Sequence, residues 1–548
     1  MARTRPRPFR DRWNSVNEGS SDRIEASDKA QGGSVEPAEN MMANSCLLGV
    51  DVGSYESKGT LTDLDGRVLA STRRSHQLEF PSPGHVEQDV DTVWWGEFAD
   101  ICRELTDVAD IRATAIAGVA ASGVFALLPV DARGRALRPK AIMYGIDTRA
   151  EHEIGEIRLR LGEATILSRT GNSLTSQSMG PKILWLKKHE PEVYDRARGY
   201  VSASGYIVGR LTGRVTLDHF QAAFYGPMYD LSRQAWASDL CEGIVSIEDL
   251  PELRWANEIA GHVTAEAAAA TGLREGTPVV VGTCDVGVEA LSVGVTKPGE
   301  MMLMYGSTAW ITLIVDQPLR DSRLWASPFI FPGQFCLHGG MATSGTATRF
   351  FRDLVGQDLL AVERGGGAEA YTVLMDSAAR TPEGADGLIF LPYLAGERTP
   401  INDPGAKGMV FGMKMIHGRG HFFRAAFEGV GYSIAHAFEA MQDAGATPEK
   451  AVAVGGGVKN RQWLQAVSDI AEIRQEIPDV TLGASYGDAF LAGLATGLIQ
   501  NPQRIRDWIR IRDSIHPRPE HSTVYKRQFD IYKQLYHRTR DLMRRIDG

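Results

Sequence analysis

The sequence is short of cysteine and of long apolar runs. Its 548 residues include five cysteines, Cys46, Cys102, Cys241, Cys284 and Cys336, which are scattered and form no C-x-x-C pair. A disulfide framework and a structural zinc site are therefore both unexpected, since each needs matched cysteines. No apolar run is long enough to span a bilayer and no signal-peptide core is present, so we expect a cytoplasmic protein with no membrane partner.

An excess of positive charge is also missing. The formal net charge is −9, and 23% of the residues are charged. This balance gives no general attraction for nucleic acid or for anionic membranes, so a small anionic substrate would need a local positive site. The chain is too long for a single core, and about two to four domains are expected from its length.

The commonest nucleotide-binding motifs are absent. The chain contains no G-x-x-x-x-G-K-[ST] loop, no protein-kinase catalytic loop, no G-x-G-x-x-G and no H-E-x-x-H. These absences exclude the most frequent phosphate-binding loop, the dinucleotide-binding fingerprint and the commonest zinc-protease motif.

Residues 1–44 differ in composition from everything after them. Arginines alternate with other residues, including prolines, at the start, and a polar stretch with little to bury follows. We predict a disordered tail. A nucleic-acid arm or a transit peptide is an alternative that the later acidic residues weaken, and translation starting at Met41 or Met42 is a simpler one, which the intact mass of the native protein would test.

What the chain does contain is a hairpin motif that occurs twice. Leu47–Leu61 and Met301–Leu313 each read as a strand, a tight turn of glycine and hydroxyl residues, and a second strand. In such a turn the backbone N–H groups can approach an anion, and an O–H group adds a further hydrogen bond. The repeat predicts one phosphate chain held from two sides by two related domains.

The pattern between and after the hairpins is that of an α/β protein. Short apolar strands alternate with helical spacing, as in the predicted strands at 47–50, 59–64, 68–73, 116–120, 126–130 and 278–282 and the helix at about 90–108. The second half repeats this, with predicted strands at 300–305, 310–315, 387–392 and 451–454 and helices at about 346–355, 420–442, 460–472 and 485–497. We expect a mixed sheet in each half with helices on its faces.

The last predicted helix carries an aromatic stripe. Tyr525, Phe529, Tyr532 and Tyr536 follow each other at helical spacing. Such a stripe could dock a partner or stack bases, but packing on the parent domain is the simpler interpretation, and no function is assigned to it.

Asp51 stands at the end of the first apolar strand, directly before the glycine turn. A carboxylate there can hold Mg²⁺ against phosphate oxygens, directly or through water, although it could also cap the turn. Lys58, on the returning strand, can neutralise a phosphate as a point charge.

Asp285 is the second carboxylate in such a position. It follows the apolar strand Val279–Val281 and stands where a helix begins. It could be a helix N-cap, or it could be a general base that takes the proton of an attacking alcohol and orients it for phosphoryl transfer. The surrounding motifs favour the base.

A glycine triplet provides that context. Gly455, Gly456 and Gly457 follow a strand, so a flat ring can lie against the backbone, and Asn460 near the next helix start can hydrogen-bond it. The small-residue helix that opens at Gly483–Ala489 adds to the pattern. The triplet alone is a weak signal, and it becomes specific together with the two hairpins and Asp285.

With these motifs the sequence resembles the FGGY carbohydrate kinases, and among them the xylulokinase-like members. The resemblance extends from Leu47 to about Met543 and includes Gly387–Pro400 and Lys407–Gly412, a segment that we interpret as scaffold with a salt bridge between Glu397 and Arg398. It implies two actin-like α/β domains (ribonuclease H-like, of the superfamily of Hsp70 and hexokinase) around a central cleft, at residues 45–294 and 295–548. The second domain would hold most of the ATP.

The resemblance also implies a role for each site residue. Asp51 would lie at the Mg²⁺ ion and Asp285 would be the base. The residues with a binding role would be Gly53, Ser54 and Lys58 along the phosphate path, Gly306, Ser307 and Thr308 in the second hairpin, Gly345 and Arg349 beside the nucleotide, Gly455, Gly456 and Asn460 around adenosine, and Tyr144 and Asp147 at the sugar.

Two segments depart from the pattern of the xylulokinases. The first turn reads Gly53-Ser54-Tyr55-Glu56 instead of Gly-Thr-Thr or Gly-Thr-Ser, which places an acid beside the phosphate path, where it would be repulsive unless it points away or helps to hold the metal. Ala121–Ala126 lacks the Gln and His of Gly-Gln-Met-His-Gly. Kinase chemistry is still expected, whereas the identity of the sugar stays open.

The sequence thus predicts an ATP-dependent, Mg²⁺-requiring carbohydrate kinase that acts on a small sugar, with a ketopentose such as xylulose first among the acceptors. The alternatives are another ketose or polyol, an actin- or Hsp70-like ATPase without an acceptor, and a sugar sensor on a kinase scaffold. Homodimers are common in families of this kind, and no feature of the sequence proves one.

Overall fold

The computed structural model describes residues 45–108, 115–479 and 481–546. The predicted disordered tail, residues 1–44, lies outside these ranges, as do both alternative start methionines. The described residues group into one compact unit. None of the helices within the described ranges combines the length and apolar character that a bilayer span requires. The five cysteines are buried.

The strands of the described residues fall into two large sheets, one smaller sheet and three pairs. They are β1 Cys46–Val52, β2 Glu56–Thr62, β3 Val68–Ser75, β4 Glu79–Ser82, β5 His85–Asp89, β6 Ile116–Gly123, β7 Ala126–Val130, β8 Lys140–Met143, β9 Gly199–Val201, β10 Thr216–Asp218, β11 Tyr229–Asp230, β12 Ala235–Trp236, β13 Glu252–Arg254, β14 Ile259–His262, β15 Pro278–Val280, β16 Thr283–Cys284, β17 Glu300–Tyr305, β18 Ala309–Val315, β19 Trp325–Pro328, β20 Phe335–Met341, β21 Ile389–Leu391, β22 Met409–Phe411, β23 Lys450–Val454, β24 Gln475–Pro478 and β25 Ile511–Ile515.

The α-helices lie between and after these strands. They span Phe98–Val108, Glu151–Leu161, Glu163–Thr170, Met179–His189, Pro191–Arg196, Ala203–Thr212, His219–Ala222, Ser238–Cys241, Ala265–Thr271, Asp285–Ser292, Gly345–Val355, Gln357–Arg364, Ala370–Ala379, Arg419–Asp443, Arg461–Ala471, Ala484–Ala495, Ile505–Trp508 and Ser522–Arg545, and a π-helical segment, Val90–Glu97, leads into the first of them.

The first large sheet has the strand order β14-β15-β6-β1-β2-β3, with β16 also paired to β6. The strands β1, β2 and β3 are antiparallel neighbours, whereas β6 runs parallel to β1 and to β15. Every residue of β1 is buried. A strand covered on both faces needs a continuous apolar run, which is why Leu47–Val50 reads without alternation.

The second large sheet repeats this topology. Its order is β19-β20-β18-β17-β23-β24-β25, with β17, β18 and β20 antiparallel and β23 parallel to β17 and β24. Each sheet ends on an antiparallel strand beyond the parallel ones, β14 in the first and β25 in the second. The sequence repeat of the hairpin is therefore part of a repeat of the whole sheet.

The helix Ala484–Ala495 belongs to the second half of the sequence but packs on β1, β2 and β6 of the first sheet. A Cβ atom at Gly49 would lie 2.0 Å from the backbone oxygen of Ser485, so β1 can approach this helix only with glycine there. The hydroxyl oxygens of Thr60 and Ser485 are 2.8 Å apart. Residues after the predicted domain boundary between 294 and 295 therefore pack on the first sheet.

Most predicted elements are present within a few residues of their expected ends. The three-strand meander, the second hairpin and the helices at 345–355, 419–443, 461–471 and 484–495 all form. The aromatic stripe of the last helix packs on the parent domain as expected, with Tyr525, Tyr532 and Tyr536 buried. Of the five-stranded sheet β4-β5-β8-β7-β9 only β7 was predicted, because β4 and β5 are partly polar and β8 and β9 are short.

Candidate active site

The first hairpin places Asp51 at the end of β1 and Lys58 opposite it on β2. Asp51 is only 8% exposed. Lys58 Nζ lies 3.3 Å from Glu56 Oε1, so the acid that departs from the expected turn is neutralised by the neighbouring lysine. Tyr55 is 55% exposed and points to solvent. The altered turn therefore keeps its extra charge paired within the hairpin.

Side chains from outside the hairpin hold its turn. His76 Nε2 lies 3.0 Å from the carbonyl oxygen of Gly53, and its Nδ1 lies 3.0 Å from Glu97 Oε2. Gln88 Nε2 donates to the carbonyl oxygens of Gly53 and Ser54, at 3.3 and 3.2 Å. These contacts fix the direction in which the turn presents its amide groups.

A second buried acid stands behind Asp51. Ser122 Oγ lies 3.3 Å from Asp51 Oδ1 and 2.6 Å from Asp488 Oδ2, so one hydroxyl lies between two carboxyl groups. Burial, and next the negative charge of Asp285, raise the pKa of Asp51 to about 7, while Lys58 and the Ser122 hydrogen bond act in the opposite direction. A divalent cation at Asp51 would relieve this repulsion.

Asp285 begins the helix Asp285–Ser292, whose N-cap is Cys284. Its Oδ1 accepts a hydrogen bond of 2.8 Å from the backbone N–H of Val286. Burial is the main cause that raises the pKa of Asp285 to about 6, and the charge of Glu289 adds to it. A carboxyl with a pKa just below neutrality is suited to accept a proton at physiological pH.

A cavity of about 340 Å³, here called the central cavity, contains Asp285. It brings together three further predicted residues, Ser54, Tyr144 and Thr308, with the unpredicted Glu289, one helical turn after Asp285. The rest of its wall is mostly aromatic or apolar, and the other lining residues are Val124, Phe125, Ile146, Gln177, Phe220, Phe224, Cys284, Val286, Met304, Trp310, Trp325 and Arg398. Its size and aromatic walls suit a small hydroxylated molecule.

The second hairpin is held by backbone groups. The N–H of Gly306 donates to the carbonyl oxygen of Thr308 at 3.0 Å. The amides that open the helix Gly345–Val355 donate back to the turn, Ser344 N–H to Ser307 at 2.9 Å and Gly345 N–H to Gly306 at 2.9 Å. The start of that helix and the turn thus form one rigid piece.

A second cavity, of about 790 Å³, is also lined by this hairpin and is called here the glycine-rich cavity. Its lining includes six residues that were predicted to bind a nucleotide, namely Gly306, Ser307, Gly345, Arg349, Gly456 and Asn460. Thr308, the next residue of the same turn, lines the central cavity. The hairpin therefore contributes residues to both cavities.

Gly455 and Asn460 support the glycine-rich cavity in different ways. Gly455 has φ of +90°, and a Cβ atom there would lie 2.7 Å from the backbone oxygen of Tyr305, so only glycine fits. Asn460 Oδ1 accepts from the N–H of Trp463 at 3.1 Å and caps the following helix. Its Nδ2 contacts Met375 Sδ at 2.8 Å. Both the oxygen and the nitrogen of the Asn460 side-chain amide thus have contacts within the protein.

Five predicted residues line neither cavity, namely Asp51, Gly53, Lys58, Asp147 and Gly455. Gly53 and Lys58 remain in the first hairpin beside Asp51. Asp147 is fully buried, and its carboxylate accepts from the guanidinium of Arg149 at 2.8 Å and from the N–H of Val86 at 2.6 Å. These bonds hold the segment that follows Tyr144. Asp147 borders a separate cavity of about 810 Å³ and does not line the central cavity.

The expected salt bridge between Glu397 and Arg398 does not form, and that prediction was wrong. Glu397 Oε1 accepts from the backbone N–H groups of Ala342 at 2.7 Å and of Arg398 at 2.8 Å, which satisfy it without a cation. The guanidinium of Arg398 lines the central cavity and has no hydrogen-bond or ion-pair partner within the described ranges. The segment interpreted as scaffold therefore supplies a positively charged side chain to the site.

Several residues of the site escaped the sequence-based reasoning, namely His76, Gln88, Ser122, Glu289, Arg398 and Asp488. One signal was available for Glu289, because an acid four residues after Asp285 lies on the same helix face. Asp488 also had one, since it is the only acid in a helix of small and apolar residues. The other residues reach the site through tertiary folding, and no local pattern marks them.

Two family profiles match consecutive parts of the chain. The profile of the FGGY family of carbohydrate kinases, N-terminal domain, matches residues 46–292. The profile of the C-terminal domain of the same family matches residues 301–496. Each matched part contains one of the two hairpins.

Individual proteins are similar along nearly the whole chain. The xylulose kinase of Bacillus subtilis (strain 168) is 28% identical over 502 residues, which cover 90% of this chain and 97% of that protein. A gluconokinase of Bacillus licheniformis is 27% identical over 494 residues, covering 90% and 95%. The crystal structure of xylulose kinase from Rhodospirillum rubrum has a TM-score of 0.84 and 29% identity, covering 91% and 99%.

Proposed function

This chain belongs to the FGGY family of carbohydrate kinases, which makes it a phosphotransferase with an alcohol group as acceptor, and we propose that it transfers the γ-phosphate of ATP to a small ketose such as xylulose. One observation carries the proposal. The hairpin Gly306–Thr308 contributes residues to two cavities, one that contains the partly buried carboxylate of Asp285 and a larger one lined by glycines. A phosphate placed at this hairpin would lie between nucleotide and acceptor.

In the proposed reaction Asp285 accepts the proton of the acceptor hydroxyl and orients its oxygen toward the γ-phosphate. The backbone amide of Ser307 and the hydroxyls of Ser307 and Thr308 would donate to phosphate oxygens, because no carboxylate side chain stands at this turn. The adenosine would lie in the glycine-rich cavity, against the backbone at Gly456. Arg349, which is exposed at the same cavity, is free to pair with the nucleotide.

The residues around Asp51 fit a Mg²⁺ ion. Asp51 offers a buried carboxylate next to other acids, and oxygen donors of this kind are those that Mg²⁺ prefers. Asp51 would hold the ion directly or through water, and Lys58 lies opposite it. When bound, the ion would screen the negative charge of the transferring phosphate.

The acceptor is proposed from the size of the central cavity and from the relatives. About 340 Å³ admits a five- or six-carbon molecule with little room to spare. Xylulose kinases are prominent among the similar proteins, and this supports a ketopentose. The aromatic walls can stack on the C–H faces of a sugar, and the Asp285 carboxylate can bind its hydroxyls.

A second acceptor class, the aldonates, is favoured by Arg398. Its guanidinium lines the central cavity and is partly buried without an ion-pair partner among the described residues. A free guanidinium in such a place suits a carboxylate, which it can bind in a bidentate manner. Gluconokinases are also among the similar proteins.

An ATP-coupled screen would test the proposal. ADP release is measured with pentuloses, hexuloses, short polyols and aldonates, and one acceptor class is expected to stimulate it strongly. Asp285→Ala should lower turnover by about 10²–10⁴-fold while ADP still binds, because only the proton acceptor is lost. The exposed Asp195→Asn is the matched control and should leave turnover unchanged.

Other results would favour the rivals. ADP release that no acceptor stimulates would favour an ATPase that drives a conformational change, and tight sugar binding without turnover would favour a sensor. Full turnover of Asp285→Ala would remove Asp285 as the base. A wild-type preference for aldonates that disappears in Arg398→Gln would replace xylulose by an acid sugar.

A further inference from the structure

Asp488 is a fully buried acid that the proposed reaction does not use. Its Oδ2 lies 2.6 Å from Ser122 Oγ, and its Oδ1 has no hydrogen-bond partner among the residues that the structure describes. The same Ser122 Oγ lies 3.3 Å from Asp51 Oδ1. The three side chains therefore form a chain of contacts that ends on the carboxylate proposed to hold the cation.

The number of O–H hydrogens in this group of three side chains determines which oxygen donates in each contact. A serine hydroxyl has one O–H to donate, so Ser122 can donate to Asp51 or to Asp488 but not to both at once. Both contacts are hydrogen bonds only if one carboxyl group carries a proton and donates it to Ser122 Oγ. The distance of 2.6 Å between Ser122 Oγ and Asp488 Oδ2 suits a carboxylic acid donor, and the surroundings of the two carboxyl groups decide which of them carries the proton.

The surroundings of Asp488 favour a proton on this carboxyl group. An ionised carboxylate without an exposed atom and with an unpaired oxygen is very unfavourable, whereas the carbonyl oxygen of a neutral acid tolerates the site better. The charged groups that act on Asp488 most strongly are acids, Asp51 and Asp285, and no ion pair joins it to a cation in the described part of the chain. Burial accordingly raises the pKa of Asp488 well above its ordinary value.

The backbone keeps Asp488 in this position. Its helix lies directly on β1, where a Cβ atom at Gly49 would be 2.7 Å from the Cβ atom of Asp488. The contact between Thr60 and Ser485, one helical turn earlier, ties the same helix face to β2. The backbone at Asp488 is thus held close against β1.

We propose that Asp488 is a positioning residue for Asp51: its carboxylic acid donates to Ser122 Oγ, which leaves the single O–H of Ser122 directed to Asp51 Oδ1. Asp51 then has a fixed partner on one oxygen and presents the other to the cation. The inference rests on the proposed role of Asp51. It assigns to the helix Ala484–Ala495, which comes late in the sequence, a part in shaping the first hairpin's site.

The test compares Asp488→Asn with Asp488→Ala, Ser122→Ala and the double variant Ser122→Ala/Asp488→Ala. The readouts are the Mg²⁺ dependence of ADP binding by calorimetry and the Mg²⁺ dependence of turnover. Asp488→Ala and Ser122→Ala should each raise the half-saturating Mg²⁺ concentration about 10-fold, since a partner of the ligating carboxylate is lost. The double variant should equal Ser122→Ala, because Asp488 acts only through Ser122.

Asp488→Asn is the decisive variant, because its side-chain N–H₂ can still donate to Ser122 while it cannot carry a charge. It should recover most of the Mg²⁺ affinity that Asp488→Ala loses. A defect as large as that of Asp488→Ala would overturn the proposal, as would additive effects of the two alanine changes. If Asp488→Ala fails to fold, adding Asp488→Asn to Ser122→Ala takes its place, and any further loss in that background overturns the proposal.

The calorimetric readout needs no acceptor. Failure of the kinase proposal would appear as wild-type protein without turnover on any acceptor. Failure of the present inference would appear as the wrong order of Mg²⁺ affinities among the variants. A wild-type protein that binds ADP without any dependence on Mg²⁺ would overturn the inference as well.

Discussion

The two hairpins occupy equivalent places in two sheets of the same topology, yet they are held in different ways. The turn of the first is fixed by the side chains of His76 and Gln88. The turn of the second is fixed by backbone N–H groups at Ser344 and Gly345. The same local motif therefore depends on individual side chains in one half and on helix geometry in the other.

The two hairpins also differ in charge. Asp51, Asp285, Glu289 and Asp488 gather beside the first sheet, where burial and mutual repulsion raise their pKa values. The second turn contributes hydroxyl and amide groups. A cluster of acids is suited to a cation and to a proton, whereas neutral donors are suited to phosphate oxygens. The comparison indicates that the first hairpin is suited to a cation and a proton, and the second to phosphate oxygens.

The largest expected effect is that of Asp51→Asn, which removes the charge of the first hairpin. We expect turnover to fall by about 10²–10³-fold, because the transferring phosphate loses charge compensation at the site. Steady-state kinetics with varied Mg²⁺ would measure it. Asp65→Asn, on the exposed turn between β2 and β3, is the matched control and should be unchanged. An Asp51→Asn variant with wild-type Mg²⁺ dependence would contradict the assigned role.

Ser307→Ala, in the second hairpin, should have a smaller effect. The hydroxyl contributes one donor among several backbone donors, so we expect KM for ATP to rise about 5- to 30-fold with a lesser change in KM for the acceptor. Thr308→Val should show the reverse, since Thr308 lines the central cavity. Kinetics with each substrate varied in turn would separate them. Equal effects of both variants on both substrates would contradict the hairpin's contribution to both cavities.

The pH dependence of turnover would sharpen the assignment of acids to the first half. Asp285 accepts a proton only when ionised, so kcat/KM for the acceptor should fall as the pH drops below about 6. Glu289→Gln removes a negative charge that raises the pKa of Asp285 and should move this acidic limb to lower pH. The exposed Glu266→Gln is the control. A limb that stays in place would show that the charge of Glu289 does not act on the pKa of Asp285.

Sequence reasoning located the backbone framework of this site well. The two turns, Asp51, Asp285 and the glycine triplet are marked by glycine and by an acid at the end of an apolar strand, and such signals are local. Four of the predicted residues, Ser54, Tyr144, Thr308 and Asp285, line the central cavity. The mixed sheet that was expected in each half is also present.

The partners of the predicted residues were beyond such reasoning. Ser122 and Asp488 meet although 366 positions separate them, and only the packing of a late helix on β1 brings this about. Arg398 was expected to pair with Glu397, but backbone amides satisfied the acid and left the guanidinium in the cavity. Asp147 carried the expected spacing, yet Arg149 and the Val86 amide occupy its carboxylate. Neighbours in space, rather than residue type, decided each role.

The smallest expected effect concerns the side-chain clamp on the first turn. To donate from both ring nitrogens to Glu97 and to Gly53, His76 must be protonated. Burial lowers its pKa, but the hydrogen bond and charge of Glu97 and the turn carbonyls raise it above the ordinary value. Stability from a raised pKa is present below the unfolded-state pKa and is lost as the pH rises through the folded-state one.

His76→Gln should therefore lower stability by about 1–2 kcal/mol in acid and by less in base, with a change of only a few-fold in turnover. Thermal unfolding of the variant and wild type at about pH 5.5 and about pH 8.5 would measure the difference. His262→Gln, at an exposed histidine, should show no such pH-dependent gap. Because backbone amides hold the second turn, no single side-chain change there should reproduce this pattern, and finding one would show that the two hairpins are held alike.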